Sequence, residues 1–99
     1  PNASQKDNFA ILQKGNSEEF DQLLKRYQSN IKIIDVRDLE MPLPMTTILD
    51  ELKTLPSDTL LYVNHKKIPQ YLLPEIQEKG YKWVINEIKE GDVKILIYK

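Results

Sequence analysis

A single histidine, His65, stands in the polar run Asn64-His65-Lys66-Lys67, directly after the apolar segment Thr59–Val63. Imidazole has the ordinary pKa nearest neutrality, so His65 is the first candidate for acid–base or ligand chemistry. Asp35 and Arg37 close another apolar segment, Ile31–Val36, and together offer a carboxylate and a planar cation for an anion or polar ligand. Met41, just before Pro42-Leu43-Pro44, brings a soft thioether. With His65 it could ligate a soft metal or haem, although metal sites usually draw on three or four protein ligands. Lys66 and Lys67 beside the histidine would steer an acidic partner.

Each candidate also has a plainer reading, and that reading is preferred. Asp35 can accept backbone N–H bonds in a turn while Arg37 pairs with a nearby carboxylate. His65 can be a surface histidine in a polar turn. The aromatic residues Tyr62, Tyr71, Tyr81 and Trp83 fit core packing as well as ligand contact. Ser29 and Ser57 stand in turns and Thr46 and Thr47 in first helical turns, with no nucleophile motif among them, and three scattered glycines make no phosphate loop. Cysteine is absent, which removes disulfides, thiolate metal sites and thiol redox chemistry, and points to the cytoplasm. The 14 basic residues against 15 acidic ones give a net charge of −1, with no basic face to suggest nucleic acid. No apolar run nears the roughly 20 residues that cross a bilayer, and no charged-then-apolar leader is visible.

The elements that position these residues follow from periodicity. Residues 1–16, rich in Asn, Gln, Ser and Lys, read as a flexible arm. Residues 17–30 read as a helix, capped by Asn16 or Ser17, with Phe20, Leu23, Leu24 and Tyr27 on one face. Ile31–Val36 reads as a central strand buried on both faces. Pro44 suits a first helical turn, and Met45, Ile48, Leu49, Leu52 and Leu55 mark the helix that ends before Pro56. Thr59–Val63 is the second strand. A further helix runs from about Pro69 to Lys79 with Gly80 as its stop, and Pro74 lies in its first turn or kinks it. Tyr81–Ile88 and Val93–Tyr98 form an antiparallel hairpin across Lys89-Glu90-Gly91-Asp92. The order β-α-β-α-β-β over 31–99 predicts an α/β two-layer sandwich: a four-stranded mixed sheet with two helices on one face, preceded by the extra helix. The first two strands are expected to be parallel and adjacent, which would bring His65 towards Arg37 and Met41.

The stretch Asp35-Val36-Arg37-Asp38-Leu39-Glu40-Met41-Pro42-Leu43-Pro44 resembles the signature of the TusA/SirA-like sulfur carriers. That signature is Asp, two residues, Gly-Leu, one residue, Cys, then Pro-x-Pro at a helix mouth. Asp35, Leu39, Pro42 and Pro44 match it in register, and the likeness covers about the last two thirds of the chain. Asp38 replaces the glycine and Met41 the cysteine. A thioether carries no transferable sulfur, so the carrier role does not pass to Met41. The chain looks closer to an uncharacterised, cysteine-free branch of that superfamily, through Asp35-Val36-Arg37, Pro42-Leu43-Pro44, His65 and Gly80-Tyr81-Lys82-Trp83. The resemblance implies a scaffold kept without its reactive atom. The expected role is a non-enzymatic protein-interaction or regulatory module, monomer or homodimer, with no cofactor, no nucleic acid and no membrane. Its docking surface would use Asp35, Arg37, Met41, His65 and Lys66. The alternatives are a small-ligand, metal or haem-binding module on Met41 and His65, and, more weakly, an enzyme using His65 with Asp35 and Arg37.

Overall fold

The computed structural model describes residues 17–99. The expected arm over 1–16, and Asn16 as a cap, lie outside the described residues. The elements are α1 (Ser17–Arg26), β1 (Ile31–Asp35), α2 (Leu43–Thr54), β2 (Leu60–His65), α3 (Leu72–Glu78), β3 (Lys82–Lys89) and β4 (Asp92–Tyr98). The four strands form one mixed sheet in the order β1-β2-β4-β3. β1 runs parallel to β2, and β4 runs antiparallel to both β2 and β3.

The parity of the strands sorts two apolar clusters onto the two faces. Leu61, Val63, Ile85, Val93, Ile95 and Ile97 meet Ile48 and Leu52 of α2 and Leu72 and Ile76 of α3. Both helices therefore cover one face, as two crossovers of the same hand require. On the other face Leu60, Val84 and Leu96 meet Phe20 and Leu23 of α1. The Phe20 ring packs edge-on against Tyr62 at 6.0 Å, and Tyr27 lies 6.2 Å from Tyr98. Glu18 and Glu19 in the first turn of α1 and Lys25 and Arg26 in its last turn suit the helix dipole.

Three expectations need correction. β1 is an edge strand, and Ile33 is exposed. Its apolar run reflects Ile31 packing towards α1 and Ile34 towards α2, not burial of every residue. α3 begins at Leu72, because a turn over Pro69-Gln70-Tyr71 precedes it; Pro74 then falls in the first turn, where its missing N–H has no helical partner to lose. His65 is the last residue of β2, not part of a surface turn.

The helix ends are set by local chemistry. Pro42 follows a cis peptide bond with Met41, and its carbonyl accepts from the Thr46 N–H at 3.1 Å, which starts α2. Gly80, at φ 90°, closes α3. Its N–H donates to Gln77 O at 3.0 Å, and the Tyr81 N–H donates to Ile76 O at 2.9 Å, the paired bonds of a Schellman end. The Tyr81 hydroxyl then donates to the Leu52 carbonyl at 3.0 Å and ties β3 to the end of α2.

Candidate functional site

The sheet divides the residues singled out in the sequence into two groups. Asp35 and Asn64 are paired across β1 and β2, and Asn64 faces Lys94 across β2 and β4. By parity they lie on the α1 face, beyond the part that α1 covers. Arg37 donates from Nε to Asp35 Oδ1 at 3.0 Å and from Nη2 to Oδ2 at 2.7 Å, a forked pair. The Arg37 backbone N–H also donates to Asp35 Oδ1, at 3.0 Å. Arg37 Nη1 lies 3.8 Å from Asp92 Oδ1. Lys94 Nζ donates to Asp92 at 2.7 Å and to Asn64 Oδ1 at 2.6 Å. The side-chain and backbone bonds from Arg37 hold the Asp35 carboxyl down at about 2. Lys94 likewise keeps the Asp92 carboxyl low. Each charge here already has a neighbour of opposite sign, so the network braces the ends of β1, β2 and β4. The plainer reading of Asp35 and Arg37 is the one the geometry carries.

Met41 and His65 lie together on the opposite face. Both line a cavity of about 380 Å³ between the mouth of α2 and the turn before α3. That volume falls in the usual range for ligand pockets. Parity explains the placement of His65. It follows Leu61 and Val63 on the helix-covered face and is paired with Val93, so it is only 4% exposed. Its Nδ1 accepts the Lys67 backbone N–H at 3.2 Å. A neutral ring bonded in this way carries its proton on Nε2. Burial, then the nearby Lys67 and Lys66, push its pKa below the usual value. The neutral ring is thus a donor at Nε2, and among the described residues its side chain forms no other hydrogen bond.

The rim of this cavity is apolar and open. Met41 is 57% exposed and Tyr71 84% exposed, and Leu43 beside them is also exposed. Met45, Ile68 and Leu72 add apolar wall, and Glu87 of β3 and Lys67 add one charge of each sign. Lys66 is exposed and does not line the cavity; Lys67 takes the place expected for it. Tyr71, set aside in the sequence as core packing, is instead exposed on the cavity rim, because Pro69-Gln70-Tyr71 form a turn ahead of α3. Glu87 was missed, since it arrives only through the pairing of β3 with β4. A second groove, of about 510 Å³, runs between α2 and α3 and is walled largely by polar residues, including Asp50, Lys53, Glu75 and Lys79. The Tyr81 hydroxyl in it is already bonded, so it offers no unmet buried group.

These features limit the chemistry. A general-base histidine ordinarily donates from one nitrogen to an orienting group and accepts at the other. Here Nδ1 accepts from the backbone, which leaves Nε2 as a donor. Ligation of a metal through Nε2 would move the ring proton to Nδ1 and break the bond from Lys67. Among the described residues, no group of three or more His, Cys, Asp or Glu side chains could hold a metal ion. No helix of the described residues is long and apolar enough to cross a membrane.

One family model, described as "Uncharacterized conserved protein (DUF2249)", matches residues 33–99. That span includes the cavity and the charged network and leaves out α1. No curated protein and no solved structure matches the chain.

Proposed function

We propose, for a chain that belongs to the DUF2249 family of uncharacterized conserved proteins, a non-enzymatic role: a module that recognises a protein partner through the cavity beside Met41 and His65. The observation that carries this reading is an open apolar rim around a buried histidine whose Nε2 has no hydrogen-bond partner among the described residues. Exposed apolar groups rimmed by polar residues mark interaction surfaces. A partner side chain would fill the space between Met41, Tyr71 and Ile68 and present an acceptor, such as a carbonyl, to His65 Nε2. Acid–base work by His65 is disfavoured because its ring faces the cavity as a donor.

We further place the family within the TusA/SirA-like superfamily, as a branch whose helix mouth serves for docking. The supports are the matched Asp35, Leu39, Pro42 and Pro44 and the β-α-β-α-β-β order. A cysteine-free chain of this kind fits the cytoplasm.

Selection of displayed random peptides on the full chain tests the docking role. Enriched peptides should share an apolar anchor, shift the NMR signals of Met41, His65 and Tyr71, and bind Met41→Lys or Tyr71→Ala roughly tenfold or more weakly. Peptides that bind both variants as well as wild type, or whose shifts map to the α2–α3 groove, would refute it.

A further inference from the structure

Among the described residues, β1 is one of the two edges of the sheet. The Leu60 N–H donates to Asn30 O and the Val36 N–H donates to Asn64 O, each at 2.9 Å. In a parallel ladder those bonds fix the alternation: Lys32 and Ile34 turn their backbone groups to β2. Ile31, Ile33 and Asp35 turn theirs to the open side. The middle one, Ile33, is 65% exposed. Edge strands are ordinarily guarded by proline, bulges or unpaired charge. Ile31–Asp35 contains neither proline nor bulge, Lys32 is ion-paired with Glu51, and Asp35 is held by Arg37. The other edge, β3, is guarded: it has a register shift between Glu87 and Lys89 and charged residues at both ends.

We propose that the β1 edge pairs antiparallel with β1 of a second copy of this chain, about a two-fold axis at Ile33. The strand is self-complementary in that register. Ile33 exchanges both backbone bonds with Ile33 of the second copy, and Ile31 exchanges both with Asp35 on either side. The side-chain pairs are Ile33 with Ile33, Lys32 with Ile34, and Ile31 with Asp35, so no like charges stand opposite one another. Other registers that keep the outward groups bonded are poorer. One sets Lys32 against Lys32, another sets Asp35 against Asp35, and the remaining ones leave an end of the strand unpaired. Charge and length together thus select one alignment, and the two sheets join into a continuous one.

Sedimentation equilibrium of the full chain, from micromolar to millimolar, tests this surface independently of the cavity. Wild type should reach the dimer mass at high concentration. Ile33→Pro removes only an outward N–H and leaves the β2 ladder intact, so it should be a folded monomer. Ile33→Lys sets like charges face to face at the axis and should also be monomeric; it decides the matter if the proline variant fails to fold. Ile88→Lys, on the guarded edge, and Met41→Lys, at the cavity, should dimerise like wild type. The proposal is overturned by wild type that stays monomeric throughout, by folded Ile33 variants that keep the dimer, or by loss of the dimer in Ile88→Lys.

Discussion

Truncation of Phe20 to alanine should remove a large part of the protein's stability, although Phe20 lies outside the span of the family match. Phe20 is 6% exposed and sits with Leu23 over Leu60, Val84 and Leu96. A buried aromatic side chain hides about 150–250 Å². At about 25 cal/mol per Å² that area corresponds to roughly 4–6 kcal/mol. Compactness of the unfolded chain trims such figures by roughly 10–40%, which leaves about 2–5 kcal/mol. Truncations of this kind fall in the same range. Whole domains are stable by only about 5–15 kcal/mol, so the variant should sit near the edge of folding. A loss of 3 kcal/mol would lower the melting temperature by roughly 12–24 °C. Urea unfolding followed by Trp83 fluorescence is the assay, because the single tryptophan packs on the opposite face and its surroundings are left intact. The midpoint should fall with an unchanged slope. A loss below about 1 kcal/mol would show that α1 does not hold that face in solution, and the reasoning would fail.

Three further outcomes follow from groups described above. The folded pKa of His65 lies below its ordinary 6.5, so the unfolded chain takes the proton first; stability should be full above that value and decline as pH falls through it. His65→Gln should therefore flatten the decline between neutral and about pH 5; parallel urea profiles for the two proteins would contradict this. Asp35, at about 2 against an ordinary 3.8, contributes stability above the ordinary value that disappears as pH falls from there towards the folded one. Asp35→Asn should remove that part of the acid transition, read as the melting temperature against pH, by a modest amount because the pair is exposed; an unaltered acid limb would refute it. Tyr81→Phe deletes the donor to the Leu52 carbonyl and should cost about 0.5–1.5 kcal/mol in urea unfolding; no measurable loss would mean that the bond contributes nothing.

Much of the architecture was readable from spacing. The Phe20, Leu23, Leu24, Tyr27 stripe predicted a helix that needs a surface, and the structure supplies that surface as the second face of the sheet. Gly80 and the Glu90-Gly91 turn marked real chain reversals, both glycines having positive φ. Strand order was not readable, because Ile31, Ile33 and Ile34 look alike in sequence while one packs under α1, one under α2 and one faces solvent. His65 was misplaced for a related reason. Its polar neighbours suggest a turn, but counting by twos from Leu61 and Val63 puts it on the buried face, and that count was available. The parallel pairing of β1 with β2 led correctly to Met41 near His65, yet it could not say that Arg37 turns to the other side of the sheet.

β4, residues 92–98, occupies an interior place between β2 and β3. Synthesis proceeds from the other end, so β2 and β3 emerge with no neighbour to join them and wait for Ile95, Leu96 and Ile97 to appear. Until then the nascent polypeptide holds two separate apolar pieces rather than a closed nucleus. Ribosome-bound intermediates that lack those residues should be open to proteases and chaperones, and cooperative closure should come only when this stretch clears the exit tunnel.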